Sequence, residues 1–303
     1  MSKHVSIVIP AYNEESGIRN TLIELIGYMD SIEYSYEIIL IDDGSEDDTY
    51  TIVKNIEKNY PDILRLVQHT CNKGYGSSIK TGVRIAEGDY IAWYDADGQH
   101  RPEDLEKLIR RISCENMDYC IGSRTNDSYE EKTRKFGKIV LKFVVNLLAR
   151  EKMEDFNCGL RIFKREIIRK HANLLPKRFG ASTVTGFLMQ ELEYGGGIIP
   201  ITTRQRVGKS SVRQIRDGIR TILLIFQIVL LFRPMQVFGS IGASALLGGS
   251  IYGLIKAFIE ADGFPVLGAI IIIFGIETLF FGLIVGQISR LRIELSELNW
   301  KDI

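Results

Sequence analysis

Cysteine is sparse in this 303-residue chain, with Cys71, Cys114, Cys120 and Cys158 scattered and no CxxC pair among them. Neither a disulfide framework nor a structural zinc site is expected, and a reducing compartment fits. Net charge is absent as well. Lys plus Arg and Asp plus Glu number 38 each, so no global field draws the chain to nucleic acid, and none is expected as a partner. No internal repeat or low-complexity segment is evident. No signal peptide is expected either, since Met1–His4 runs straight into the apolar Val5–Ile9, and the N-terminal domain is expected to stay cytoplasmic. The charges that exist are unevenly spread. Acids cluster at Asp42, Asp43, Glu46, Asp47, Asp48, Asp95 and Asp97, whereas Arg204–Arg220 is rich in Arg and Lys.

The C-terminal third has long apolar runs instead. No residue from Phe238 to Ile255 is charged, and between Phe264 and Ser289 only Glu277 is. Each run approaches the roughly 20 residues that cross a bilayer core as a helix. A short polar segment with Lys256, Glu260, Asp262, Gly263 and Pro265 joins them. Core helices of a soluble protein keep a polar stripe, which these lack, so a spanning hairpin is expected. Arg213, Arg216, Arg220 and Arg233 precede it, Arg290, Arg292 and Lys301 follow it, and the connecting segment is net acidic. Both ends are therefore assigned to the cytoplasm. The pairs Gly249/Gly253 and Gly282/Gly286 predict close helix packing, within the hairpin or on a second copy, and so a homo-oligomer. Glu277 is expected to face a helix partner or a polar lipid group. Asp217–Phe232 reads as a helix lying in the membrane interface. In Arg134–Leu148, Phe136, Ile139, Val140, Phe143 and Leu147 recur at helical spacing opposite Lys135, Lys138 and Lys142, which suits either an interfacial helix or a surface helix on the core. The division expected is residues 1–212 as a cytoplasmic domain, 213–234 as the interfacial helix and 235–303 as a two-helix anchor with a short tail.

Residues 5–200 alternate between two periods. Val5–Pro10, Glu37–Ile41, Leu64–Gln68, Tyr90–Tyr94 and Tyr119–Ser123 read as strands, and Ser16–Asp30, Asp48–Lys58, Ser77–Ala86 and Pro102–Ser113 as helices. That alternation predicts an α/β domain with a mostly parallel sheet covered on both faces. Ligands of such sheets bind at the C-terminal ends of the strands. There the unusual residues collect: Pro10-Ala11-Tyr12-Asn13-Glu14-Glu15, Asp42-Asp43-Gly44-Ser45 and Asp95-Ala96-Asp97-Gly98-Gln99-His100. Carboxylates at three adjacent strand ends repel one another unless a cation or donor groups lie between them. On a continuing strand Asp95, Asp97 and Gln99 would point to one side. Two carboxylates and an amide oxygen suit Mg²⁺ or Mn²⁺, held by few protein ligands and completed by substrate phosphates. Asn72-Lys73-Gly74-Tyr75-Gly76-Ser77-Ser78 reads as a glycine-rich turn opening a helix. Its N–H groups could face a phosphate or base edge, or the turn could be a simple helix entry capped by Ser77.

PAYNEE, DDGSEDDT, NKGYGSSIKTG and YDADGQH, in this order and spacing, resemble the family 2 glycosyltransferases. Within them they are similar to the dolichyl- or polyprenyl-phosphate glycosyltransferases, the dolichol-phosphate-mannose-synthase-like group. Gly122-Ser123-Arg124, Asp155-Phe156-Asn157-Cys158-Gly159-Leu160-Arg161 and the run Arg204–Ser211 agree. The resemblance covers roughly residues 4–215 and, through the anchor, the rest of the chain. It implies a glycosyltransferase-A, Rossmann-like fold and an inverting transfer of a hexose or N-acetylhexosamine. The donor would be a UDP- or GDP-sugar and the acceptor a polyisoprenyl phosphate at the membrane. It also implies site roles. Pro10, Tyr12, Asn13, Glu14, Asp42, Asp43, Lys73, Gly74, Asp95 and Ala96 would bind the nucleotide sugar, and Asp95, Asp97 and Gln99 the metal. Arg124, Arg206, Arg134 and Lys209 would contact the lipid phosphate or the diphosphate. Asp97, Asp155, Arg124 and Arg206 would be catalytic, with Asp155 equally readable as a cap or a partner for Arg161. A processive polysaccharide synthase would carry a QxxRW motif, and neither Trp93 nor Trp300 ends one. A sugar nucleotidyltransferase would have a basic glycine-rich loop in place of PAYNEE, and a non-catalytic scaffold would not need Asp95 and Asp97.

Overall fold

The computed structural model describes residues 5–125, 128, 155, 157–178, 180–207, 223–224, 226–259 and 263–298. The expectations for Arg134, Lys209, the Arg134–Leu148 segment and the first part of the interfacial helix lie outside these residues. The chain divides into two units, the first running to Ile222 and the second covering Leu223–Leu298.

The first unit is built on strands β1 (Val5–Ala11), β2 (Tyr36–Asp42), β3 (Leu64–Gln68), β4 (Tyr90–Trp93), β5 (Tyr119–Arg124), β6 (Arg161–Lys164) and β7 (Gly196–Ile201). Between them lie helices α1 (Ile18–Met29), α2 (Thr49–Glu57), α3 (Tyr75–Ile85), α4 (Pro102–Cys114), α5 (Arg165–His171) and α6 (Ala181–Glu191). The strands form a seven-stranded sheet in the order β3-β2-β1-β4-β6-β5-β7. All pairings are parallel except those of β6, which runs against both β4 and β5. A mostly parallel sheet is therefore observed, with one reversed strand inserted in its middle.

Side chains alternate across the sheet. Val5, Ile7, Ile9 and Ala11 of β1 join Ile38 and Leu40 of β2 in one core with Leu22, Leu25 and Ile26 of α1, Val53 of α2 and Leu105, Leu108 and Ile109 of α4. On the opposite face Val8 meets α3 so closely that a Cβ on Gly82 would lie 2.3 Å from its Cγ1. Both faces of β1 and β4 are thus buried, which is why these strands read as continuous apolar runs. α4 begins with Pro102 at its first turn, followed by Glu103 and Asp104, a proline and acids placed where unsatisfied N–H groups favour them.

Strand lengths shape the edge above the sheet. β4 ends at Trp93, opposite Val8, whereas β1 and β2 continue to Ala11 and Asp42. The chain after Trp93 turns into the step this leaves. The order reverses at β1, with β2 on one side and β4 on the other, and such a switch point is where open α/β sheets bind ligands.

The second unit contains helical residues 226–232, then α7 (Pro234–Ile259) and α8 (Val266–Leu298). Both are long and apolar enough to cross a membrane. At 33 residues, α8 is about 50 Å long, longer than a hydrocarbon core of about 30 Å. Glycines bring the helices together. Added Cβ atoms would lie 2.8 Å from the Gly275 oxygen at Gly242, 2.0 Å from the Phe264 ring at Gly253 and 2.8 Å from Phe238 Cβ at Gly282. Both predicted glycine pairs therefore pack inside the hairpin. Glu277 lies on the exposed face of α8, so α7 is not the helix partner expected for it.

Candidate active site

Three loops meet above β1, β2 and β4. Asn13 adopts φ 54, and its N–H donates to Ser45 Oγ at 3.0 Å while its Oδ1 accepts the Glu46 N–H at 2.8 Å. The Glu14 N–H donates to Thr49 Oγ1 at 2.8 Å, the Glu15 N–H donates to Asp47 Oδ2 at 3.1 Å, and Glu15 Oε2 accepts the Asp48 N–H at 3.1 Å. PAYNEE and DDGSEDDT are thereby laced into one wall. Pro10 is buried at its base, and Tyr12 is half-buried above it.

Asp42, the last residue of β2, and Asp43 after it serve this scaffold. Asp42 has no exposed surface, accepts the Ser45 N–H at 3.2 Å and takes Gln68 Nε2 at 3.1 Å. Asp43 is buried too. Its Oδ1 meets His69 Nδ1 at 2.7 Å and the Lys73 N–H at 3.0 Å, and its Oδ2 accepts the Gly74 N–H at 2.7 Å. His69 is fixed in turn by Thr81 Oγ1 at 3.0 Å. Both carboxylates thus shape the loops of this site.

The glycine-rich turn departs from expectation. Besides the Lys73 and Gly74 donors taken by Asp43, the Gly76 N–H donates to the Arg178 oxygen at 2.9 Å and the Ser77 N–H to the Lys177 oxygen at 2.7 Å. These donors are consumed within the protein, so the turn is not a phosphate cradle. Ser77 is not the cap either, since α3 starts at Tyr75 after Gly74 at φ 97. An added Cβ on Gly74 would stand 2.8 Å from Arg178 Cα; the backbone conformation and the close approach both demand glycine there. Lys73 is exposed beside this turn.

The third loop carries the densest chemistry. Asp95 and Asp97 do not continue β4 but sit in the turn after it, which replaces the strand alternation expected for them. Asp95 accepts from Tyr75 Oη at 3.0 Å and His100 Nε2 at 3.2 Å. Asp97 accepts the Gln99 N–H at 3.1 Å and lies 3.7 Å from Arg206 Nη1. Gln99 directs Nε2 to the Arg204 oxygen at 3.4 Å, while Ala96 is buried and its carbonyl accepts from Thr21 Oγ1 at 3.3 Å. Residues 204–207 lie along this turn, with the Arg204 N–H on the Gln99 oxygen and the Val207 N–H on the Asp97 oxygen. That places Arg206 between Asp97 and Glu14, to which its Nη2 is also bonded.

The acids feel one another. Burial pushes the Glu14 carboxyl up to about 7; Arg206 opposes this, and Asp97, Asp95 and Asp47 reinforce it. Burial and Asp95 raise Asp97. Asp95 itself is held below its ordinary value. Burial works to raise it, but the His100 and Tyr75 hydrogen bonds and the Arg124 charge outweigh that. Among the described residues no three His, Cys, Asp or Glu side chains form a ready-made metal cage. The donors instead fit a hard cation with few protein ligands, because burial and neighbouring acids raise Glu14 and Asp97, a crowding that a cation would relieve.

A second arginine lies at the end of β5. Arg124 Nε and Nη2 grip Asp155 Oδ2 and Oδ1 at 2.6 and 2.8 Å, and its N–H adds a third bond at 3.2 Å. Burial works against the Arg124 charge and Asp155 more than offsets it, while Arg124 holds Asp155 low against its own burial. The partner of Asp155 is therefore Arg124. Arg161 is fully buried, with Nε on the Cys158 oxygen at 2.7 Å and Nη1 on Thr185 Oγ1 at 3.0 Å. Tyr75, His100 and His69 were not singled out in the sequence. The first two stood inside the quoted motifs, and only their convergence on Asp95 reveals them.

The Glycosyl transferase family 2 description matches residues 6–172, and the GtrB C-terminal hairpin matches residues 233–291. A UDP-N-acetylglucosamine–dolichyl-phosphate N-acetylglucosaminyltransferase of Methanococcus voltae is 32% identical over 66% of this chain and 86% of its own length. A dodecaprenyl-phosphate galacturonate synthase of Rhizobium johnstonii is 25% identical over 95% of this chain and 88% of its own. Among solved structures, glucosyl-3-phosphoglycerate synthase of Mycobacterium tuberculosis, in complex with Mn²⁺, UDP-glucose and phosphoglyceric acid, superposes with a TM-score of 0.57 at 16% identity. That match covers 75% of this chain and 79% of that one, and it speaks to the fold.

Proposed function

The chain belongs to glycosyl transferase family 2, and from that membership we propose that it moves a hexose or N-acetylhexosamine from a UDP- or GDP-sugar to a polyisoprenyl phosphate at the cytoplasmic face of a membrane. One observation carries the reading: Glu14, Asp95 and Asp97 crowd together beside Arg206 in a chain that also holds two helices able to span a bilayer. The names of the Methanococcus and Rhizobium relatives, both acting on prenyl-type phosphates, support the acceptor class. We read residues 1–212 as the catalytic domain, 213–234 as interfacial and 235–303 as the anchor, with both termini in the cytoplasm.

The chemistry suits these side chains. A phosphate monoester has its second pKa near 6, so the acceptor oxygen is anionic at neutral pH and needs no strong base. That oxygen attacks the anomeric carbon as the bond to the diphosphate breaks. The nucleoside diphosphate departs with the electron pair, and the configuration inverts. The difficulty is to bring two anions together, and Arg206 and Arg124 would do so by charge-assisted hydrogen bonds. Asp95 and Asp97, with Gln99 beside them, would hold Mg²⁺ or Mn²⁺, which would supply Lewis-acid stabilisation of the leaving diphosphate. The loops of Tyr12–Glu14 and Lys73–Gly74 would border the nucleoside. Asp155, with both oxygens committed to Arg124, serves as that arginine's anchor rather than as a base.

Incubating the purified chain in detergent with a polyprenyl phosphate and labelled UDP-glucose, UDP-N-acetylglucosamine, UDP-galacturonate or GDP-mannose tests this. A labelled glycolipid from one donor, lost in excess chelator, is the expected result. Absence of glycolipid from every donor would favour a non-catalytic scaffold.

A further inference from the structure

The paired acids of the Asp95–His100 turn are held very differently. Asp95 is clamped from two directions. Tyr75, the first residue of α3, reaches Oδ1 at 3.0 Å, and His100 Nε2 reaches Oδ2 at 3.2 Å. Neither clamp is free to swing. Tyr75 also hydrogen-bonds Ser182, and its backbone follows the turn that Lys177 and Arg178 tie down. His100 is buried, its carbonyl accepts from Tyr94 Oη at 2.7 Å, and the two rings meet edge to face at 5.7 Å. A third element closes over the carboxylate: a Cβ on Gly159 would lie 2.0 Å from Asp95 Oδ2. Asp97, by contrast, has the Gln99 N–H and the looser Arg206 contact.

An ionised carboxylate offers about four lone-pair directions. Tyr75 and His100 occupy two of them, one on each oxygen, so the direction of the remaining pair is set before any ligand arrives. Hydrogen-bond donors behind a ligating group fix its orientation and tune its metal. We propose that Tyr75 and His100 are positioning residues that preset Asp95 as the rigid ligand for the divalent ion of a metal–nucleoside diphosphate complex, leaving Asp97 as the adaptable one. This rests on the metal reading above. It adds that affinity for the ion is written into the glycine-rich turn through Tyr75, a turn whose own N–H groups do not reach a phosphate.

The test uses the full chain in detergent with UDP, reading free Mn²⁺ by electron paramagnetic resonance. Wild type should bind Mn²⁺ in the presence of UDP, and Asp97→Ala should not. Tyr75→Phe and His100→Leu should each weaken Mn²⁺ by about 10- to 100-fold. His100→Gln, whose amide N–H can stand where Nε2–H stood, should recover most of that loss. If Tyr75→Phe fails to fold, the His100 pair decides the matter. Unchanged Mn²⁺ affinity in Tyr75→Phe, or equal losses in His100→Leu and His100→Gln, overturns the positioning role while leaving the metal reading intact. If wild type binds no Mn²⁺ with UDP, or Asp97→Ala binds it equally well, the metal reading fails and this inference fails with it.

Discussion

Replacing Glu14 with glutamine should flatten the pH dependence of donor binding. Glu14 ionises near pH 7 in the folded protein rather than at its ordinary 4.5, with burial the main cause and the neighbouring acids adding to it. Its side chain is 11% exposed, so solvent screens it little. The sign follows from the direction. An acid raised by folding binds its proton more tightly in the native state, so stability falls as pH rises from about 4.5 to about 7, by about 3 kcal/mol once ionised. For ligand binding the same proton matters twice. When neutral, Glu14 adds no charge to the pocket and leaves Arg206 available to the donor diphosphate; when ionised, it repels the diphosphate and holds Arg206. A charge pair about 8 Å apart at an effective dielectric of about 20 is worth about 2 kcal/mol before salt, and screening brings this nearer about 1 kcal/mol. Affinity for the donor should therefore drop by roughly four- to eightfold between pH 6 and pH 8 in the wild type and stay nearly level in Glu14→Gln. Calorimetry with an intact nucleotide sugar at constant ionic strength and magnesium measures this, since such a donor has no titrating terminal phosphate. Equal slopes in the two proteins would refute the reasoning.

Asp97→Ala should abolish glycolipid formation while the protein still partitions into membranes, and full turnover in that variant would remove the metal assignment. If Asp155 acts by holding Arg124, Asp155→Asn should lower kcat/KM, and adding it to Arg124→Lys should cost little more. Additive losses in that cycle would return Asp155 to an independent role. Gly74→Ala places a side chain at φ 97 against Arg178, and should destabilise the protein by about 1–3 kcal/mol in thermal unfolding and weaken nucleotide binding.

Most of the sheet could be read from the sequence because its strands are buried on both faces and bounded by polar turns. The expected Leu64–Gln68 is β3, and Tyr90–Tyr94 overran β4 by a single residue. β6 escaped notice for a physical reason. Arg161-Ile162-Phe163-Lys164 is short and begins and ends with a charge, and Arg161 is acceptable in the interior because the Cys158 oxygen and Thr185 receive its donors. The active-site carboxylates were legible as motifs, since acids do not gather at strand ends without cause. Their internal division of labour was not. Whether Asp43 meets a ligand or a loop depends on where the Lys73 and Gly74 N–H groups point, and the clamp on Asp95 joins residues 75, 95 and 100 across separate elements.

The reversed strand has a consequence for how the catalytic unit comes apart. β5 belongs to the stretch before residue 125, yet its two neighbours in the sheet, β6 and β7, belong to the stretch after 155. A polypeptide severed anywhere between those points would not separate into halves, because each fragment donates a strand that the other must enclose. Like the teeth of a closed zip, the pieces would stay meshed until the whole sheet melts.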